Sequence, residues 1–400
     1  MTVTSPTEPN QSTGHRTSPA APLDPAALDR ALLAFGESTM LPAAAYTDPA
    51  VLAWEQRHFF AGTWTCIGRI EDLTLDDGGR PLSQRALMAG DVAVLLTVAA
   101  DGAQVRAFAN TCRHRGHELL PEGGTADSRA VTCPYHAWSY GLDGAVIAAP
   151  EFNEVATFDR ARYPLVALPV ELWHGWVFVN ATGTAAPFAD HLGVLDELVA
   201  PYAPEKLVLL ARHSYEVAAN WKIATENYHE CYHCPLIHPE LCQVSPPTSG
   251  ENYDLQGAWV GGSMELAPEA VTMSLSGASS GVPIEGVDPR EVIYLGLFPN
   301  LLISVHPDYI MTHRFVALAP DRTWIECSWY FASPDVDPAY AVDFWDLTNR
   351  QDWAACESVQ RGLASPHFAP GPLAPSEDAV HQFVRMVGRG YQGIAPHVRG

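Results

Sequence analysis

Four hundred residues, 47% of them hydrophobic and including 11 Trp, 14 Tyr and 14 Phe, can bury a sizeable core, which excludes a disordered or fibrous chain. The 46 Asp and Glu against 23 Lys and Arg leave a formal net charge of −23, and a surface of that sign repels phosphate backbones, which argues against nucleic acid as a partner. No apolar run approaches the roughly 20 residues that cross a bilayer, so no membrane partner is expected either.

Residues 1–25, rich in Pro, Ser and Thr, read as a disordered tail without the parts of a signal peptide. The expected location is the cytoplasm, where disulfides are rare, so the 8 Cys are expected to be free thiols or metal ligands. A helical segment follows over 26–62, with short helices predicted at 26–34 and 51–61. From 63 to 181 the pattern turns to short strands. DVAVLLTV and QVRAFAN flank AADGA, whose Asp-Gly accepts positive φ and predicts a hairpin; WSYGLDGAVIA repeats the device, and HGWVFVN alternates like a further strand. GTAAPFAD reads as a linker. A second domain over 200–392 opens with a strand in KLVLLARHSYEV and turns helical from Trp221. A Gly/Ser/Pro-rich loop or lid is expected over 250–290, then strands in VIYLGLFPNLLISVH, IMTHRFVALA and TWIECSWYFAS, and long helices at 338–364 and 376–391. The fold class is therefore α+β, an all-β N-terminal domain followed by an antiparallel sheet beside long C-terminal helices.

Within the β domain, Cys112-x-His114 and Cys133-x2-His136 lie on two loops separated by eighteen residues. Two thiolates and two imidazoles could bind one tetrahedral zinc. A [2Fe–2S] cluster explains better why each loop supplies one of each: one iron takes both Cys and the other both His. CRHRGHEL and CPYHAWSY resemble the two Rieske loops of bacterial ring-hydroxylating oxygenases. The gap is one residue longer than that pattern's usual limit, and the excess falls in PEGGTADSRA, a surface-loop composition. His117 is expected to be structural.

The second constellation is NYHECYHCPLIH, 227–238. A zinc knuckle would need a second Cys pair, and none follows at knuckle spacing, so Cys231 and Cys234 are read as small packing residues. His233 and His238 with one distant carboxylate would instead make a 2-His-1-carboxylate face, which leaves positions open for O2 and substrate on Fe(II). Five residues apart, the two His do not share a helix face; Pro235 and Pro239 are expected to break the helix and turn His238 back. His229 is read as a neighbour. The run NWKIATENYHECYHCPLIHPEL resembles the mononuclear-iron motif of the same oxygenases, Glu-x3-Asp/Glu-x2-His-x4-His, at Glu226, Glu230, His233 and His238. In that family the acidic residue before the first His links a Rieske His of one subunit to an iron His of the next. Most members have Asp there, and a branch acting on quaternary amines has Glu. FWDLTNRQDWAACESVQRGLAS resembles the segment supplying the third ligand, which falls on Asp352, although Asp343 and Asp346 share its helix. Asn220 and Tyr232 are expected to support the site, with Glu230 and Asn220 given catalytic roles. His306, Asp308 and His313 are read as pocket or core positions.

The resemblance spans about 46–391 and implies the oxygenase (alpha) subunit of a Rieske non-haem iron oxygenase, with a helix-grip catalytic domain. Electrons from NAD(P)H would arrive through a separate flavin/iron-sulfur reductase, since this chain has no Gly-rich nucleotide loop. They would pass through the [2Fe–2S] cluster and Glu230 to the Fe(II), where O2 would be used to oxidise a small organic substrate. Electron transfer between subunits implies a homotrimer. ENYHECYHCPLIHPEL is closest to the glycine betaine, choline and carnitine monooxygenase branch, for which Trp259, Phe298 and Tyr309 are candidate cation–π walls. The alternatives are aromatic ring dihydroxylation and, outside the enzymes, a Rieske electron carrier.

Overall fold

The computed structural model describes residues 18–76, 78–98, 104–253 and 256–397. Asp24 and Asp48 cap helices Pro25–Ala31 (α1) and Pro49–Glu55 (α2), their carboxylates accepting from Ala26 N at 3.1 Å and Ala50 N at 2.8 Å. A Pro opens each helix, where no backbone donor is needed. The expected tail runs too far. Its first 17 residues lie outside the described ones, but Ala21 is buried and donates its N–H to Tyr391 O at 2.8 Å, because the apolar residues near its end find the C-terminal helix.

The β module contains antiparallel sheets of three, five and three strands. Strands Val92–Val98 and Val105–Ala109 pair as the hairpin reading requires, though the AADGA turn lies outside the described residues. Ser139–Gly141 pairs with Val146–Ala148 across the second predicted turn. GTAAPFAD is a linker only up to Pro187, since Phe188 opens a short helix.

The second domain is built on seven antiparallel strands: β1 (Val208–Val217), β2 (Glu251–Asn252), β3 (Trp259–Glu265), β4 (Glu291–Leu297), β5 (Leu301–Val305), β6 (Tyr309–Ala319) and β7 (Arg322–Phe331). Their order is β1-β7-β6-β5-β4-β3-β2. The expected loop over 250–290 is thus corrected, because it holds β2 and β3. Gly261 and Gly262 hid the strand. A Cβ on Gly261 would stand 2.4 Å from Tyr294 O and one on Gly262 2.4 Å from Glu251 O, so these glycines mark close strand approach. Against the sheet lie α3 (Trp221–Tyr228), α4 (Ala339–Leu363) and α5 (Asp378–Tyr391). Among the described residues no helix is long and apolar enough to cross a membrane.

Two polar ties join these parts. Asn300 of the β4–β5 turn exchanges hydrogen bonds with the backbone of Cys66 in the β module, at 3.0 and 2.9 Å. Glu55, wholly buried at the end of α2, accepts from Lys222 Nζ at 2.6 Å, Trp221 Nε1 at 2.9 Å and the Tyr391 hydroxyl. Lys222→Met would leave that carboxylate without its counter-charge and should cost about 3–5 kcal/mol of unfolding free energy, read by denaturant titration. Adding Glu55→Gln to it should recover much of the loss; an unchanged single variant would mean the pair is dispensable.

Candidate metal centres and substrate cavity

The two Cys-His loops close alike despite their different spacing. Cys112 N donates to His117 O at 2.8 Å and Gly116 N to Cys112 O at 3.0 Å; Cys133 N donates to Trp138 O at 2.8 Å and Ala137 N to Cys133 O at 3.1 Å. Gly116 and Ala137 occupy the same place, both with positive φ, at 73° and 56°. Both thiols are buried. Burial, with the neighbouring Cys112 thiol, pushes the Cys133 thiol up. The imidazoles of His114 and His136 lie 4.7 Å apart, His114 stacks on Trp138, and its buried Nδ1 has no protein partner. The Tyr140 hydroxyl stands 3.2 Å from Cys112 Sγ and accepts from Arg113 N at 3.0 Å. A paired set of thiols and a paired set of imidazoles suits two irons. A single zinc would need all four donors around one point, and among the described residues only His233, His238 and Asp352 gather so closely, within 4.8 Å.

That trio is assembled from α4 and the broken end of α3. After α3 ends, the Glu230 carboxylate accepts from Tyr232 N and His233 N, tightening the turn. It also accepts from His233 Nδ1. Helix Cys234–Ile237, with Pro235 in its first turn, then brings His238 back, and His238 Nδ1 donates to Gln351 Oε1 at 2.7 Å. With both Nδ1 protons committed, the two Nε2 atoms are left facing inward, 3.1 Å apart, at 3.3 Å (His233) and 2.8 Å (His238) from Asp352 Oδ1. Burial alone would raise the Asp352 carboxyl, but the two imidazoles outweigh it and hold it below the usual carboxylate range. Without a metal, Nε2 protons on the two imidazoles hold Asp352 down; once they are displaced, two lone pairs and an anion converging on one point fit a divalent metal, with the other ring nitrogens fixed by the surroundings.

Comparison with known proteins gives the same answer along most of the chain. Residues 63–159 match the Rieske [2Fe-2S] domain and 204–393 the ring hydroxylating alpha subunit (catalytic domain). The carnitine monooxygenase oxygenase subunit of Escherichia coli (strain K12) is 37% identical over 336 residues, covering 82% of this chain and 85% of that one. This chain belongs to the Rieske ring-hydroxylating oxygenase family. The glycine betaine monooxygenase oxygenase subunit of Chromohalobacter salexigens is 28% identical over 381 residues, 84% of this chain and 81% of the relative. The quaternary ammonium Rieske monooxygenase CntA in complex with L-carnitine superposes with a TM-score of 0.71 at 25% identity, over 92% of this chain and 99% of that one. Naphthalene 1,2-dioxygenase from Rhodococcus sp. shares the fold, with a TM-score of 0.67 at 16% identity over 89% and 94% of the two chains. The protein is accordingly a Rieske oxygenase component. Its Rieske domain implies a [2Fe–2S] cluster and its catalytic domain a mononuclear iron, and alpha subunits of this family work with a separate reductase.

Beside the trio, this Rieske oxygenase has a cavity of about 770 Å³, the size of a small-molecule site. Trp345, Tyr294, Tyr228, His313 and Trp353 line it as a continuous wall of edge-to-face rings, with successive centroids 6.4, 5.8, 6.1 and 5.9 Å apart. The expected walls were elsewhere: Trp259, Phe298 and Tyr309 are buried in cores outside the lining, and Tyr309 serves Trp345 by accepting its Nε1–H at 2.7 Å. Among the described residues the lining includes Glu230, Glu251, Asp352 and Asp378 and no Lys or Arg. Burial pushes His229 down to about 3 and His313 to about 4, so both are neutral.

The other expected residues have mixed outcomes. Asn220 is not in the cavity lining; it caps α3 through Lys222 N and ties it to Tyr46 O and Pro320 O, a positioning role. Tyr232 lines the cavity and is 66% exposed. His229 lines it too, packs against Gly296 and is not one of the trio. His306 and Asp308 are buried, the latter accepting from Thr272, Ser279 and Tyr340. Asp346 is engaged by Tyr215 and Arg350, and Asp343 is exposed, which leaves Asp352 alone on its helix at the trio. Glu226 is held by the Tyr46 hydroxyl at 2.7 Å, and burial pushes it up to about 8. Cys231 and Cys234, read as separate packing thiols, are joined in a disulfide, since the turn around His233 brings their Cα atoms to 4.9 Å.

Two measurements check these details. Tyr140→Phe removes a hydrogen bond to a cluster thiolate and so disfavours the extra negative charge of reduction; the cluster potential should shift negative in a redox titration followed by electron paramagnetic resonance. Thiol titration of the denatured, cluster-stripped protein should give six free cysteines before reduction and eight after, the difference being Cys231 and Cys234.

Proposed function

We propose that this oxygenase acts on a quaternary ammonium compound, hydroxylating a carbon beside the nitrogen so that it leaves as an aldehyde. The observation carrying this reading is the ring wall running from Trp345 to Trp353 beside the trio: aromatic faces attract a cation that cannot accept or donate hydrogen bonds. The similarity to carnitine and glycine betaine monooxygenase subunits supports it. For an N-methyl group the balance is R–N(CH3)3⁺ + O2 + 2e⁻ + 2H⁺ giving R–N(CH3)2, formaldehyde, water and one H⁺.

In this reading the Rieske domain occupies 63–181 and the catalytic domain 200–392, after the helical segment 26–62. His233, His238 and Asp352 hold the iron; Cys112 and Cys133 hold one cluster iron, His114 and His136 the other. The bound iron supplies the site where O2 is activated. Glu230 keeps His233 in its Nε2-facing orientation and retains a free lone pair on Oε1 for an imidazole from a neighbouring copy. A homotrimer would bring that imidazole in. In its support, Leu236 and Tyr232 beside the iron ligands are 92% and 66% exposed, as are Arg113, Arg115 and Tyr135 on the cluster loops. We place the protein in the cytoplasm, where NAD(P)H is held.

The test is a single turnover of the reduced holoprotein in air with quaternary amines and, separately, aromatic acids. Dealkylated amine with stoichiometric formaldehyde, absent in Asp352→Ala, is the expected result. A diol or phenol from an aromatic acid, with the amines untouched, would overturn the amine reading in favour of ring hydroxylation.

A further inference from the structure

We propose that the Cys231–Cys234 disulfide is a reducible guard of the iron face, and that its reduction by a dithiol frees Cys234 to become a fourth protein ligand at the metal position. The inference rests on His233, His238 and Asp352 as the iron ligands and is independent of the choice of substrate.

The pair straddles a metal ligand. Cys231 and Cys234 bracket His233 in one turn, closed by Cys234 N donating to Cys231 O at 3.3 Å, and Glu230, which holds His233 Nδ1, immediately precedes it. Cys234 Sγ lies 4.0 Å from His233 Nε2, the nitrogen that faces His238 and Asp352. Sulfur and nitrogen donors on one tetrahedral metal stand about 3.5 Å apart, given bonds of roughly 2.3 and 2.0 Å. A modest side-chain rotation therefore brings this sulfur to a coordinating place. While it is bonded to Cys231 it has no thiolate to offer, so the metal position keeps two imidazoles, one carboxylate and its open places.

Access and direction agree. Both cysteines line the cavity, but Cys231 is half-buried whereas Cys234 is only 3% exposed. A small dithiol entering through the cavity attacks Cys231 Sγ. The S–S bond breaks, a mixed disulfide forms at Cys231, and Cys234 leaves as the thiolate beside the metal position. The second thiolate of the reductant then displaces Cys231 and departs as a cyclic disulfide. Two electrons pass from the dithiol to the protein. Of the two protons the dithiol gives up, one stays on Cys231 and the other goes to solvent when Cys234 is held by the metal.

The result is a closed site. Thiolate ligation takes a position that O2 or substrate needs, and it favours zinc. A compartment that holds NAD(P)H also keeps thiols reduced, so the pair makes the iron face answer to the thiol poise around it.

The experiment exchanges the mononuclear iron for cobalt(II), with the cluster intact, in protein either untreated or reduced anaerobically with dithiothreitol and desalted. The spectrum of the cobalt-free site is subtracted from each. Reduced wild type should show a thiolate-to-cobalt charge-transfer band in the near ultraviolet that untreated wild type lacks, and Cys234→Ser should show none in either state. With iron in place, the yield of a single turnover by wild type should fall about tenfold on reduction and recover on reoxidation. No band after reduction, a band that persists in Cys234→Ser, or an unchanged turnover yield would each overturn the inference and leave the ligand assignment standing. Retention of no cobalt by either form would overturn both.

Discussion

The buried carboxylate of Glu55 is the constraint on which the iron site's position depends. It gathers Lys222 and Trp221 at the start of α3 and Tyr391 at the end of α5, so one acid links the N-terminal helices, the iron-bearing helix and the C-terminus. Asn220 adds a cap to the same helix start and ties it to the turn after β6. With its first turn so held, α3 delivers Glu230 and His233 at a defined place. Placing charge there is costly unless every donor is met, and here each partner comes from a different stretch of chain.

From that anchor, the metal ligands are oriented by a simple division of labour. Each imidazole spends its Nδ1 proton on an oxygen, His233 on Glu230 and His238 on Gln351, so that each Nε2 is presented with Asp352. Because Glu230 also accepts two backbone N–H groups of its own turn, the residue that orients His233 is itself fixed. The Rieske loops use the same economy in backbone form: identical ring closures around Cys112 and Cys133 keep thiols in and imidazoles out.

Beside the iron ligands sits a cavity lined by rings and acids, and among the described residues no Lys or Arg enters its lining. The family assignment accounts for the metals and the electron path. β4, β6, α3 and α4 jointly build the ring wall on which the proposed choice of substrate rests.

How much of this was legible beforehand follows from range. Cys112, His114, Cys133, His136, His233 and His238 could be read because each pair sits within a few residues and Pro235 announces the turn between the last two; short-range spacing is written in the chain itself. The longer strands and helices of the second domain were legible from periodicity, except β3, whose Gly261 and Gly262 carry no apolar signal because side chains there are excluded by neighbouring backbone. What the sequence alone determined, then, was the donor chemistry and the order of elements. Tertiary structure alone decided that Gln351 orients His238, that Tyr140 touches Cys112, that Asn220 is a cap, and that Trp345, Tyr294 and Trp353 line the cavity where Trp259, Phe298 and Tyr309 do not. An aromatic residue looks the same in sequence whether it fills a core or lines a cavity; only the sheet's register and the helix packed on it settle which.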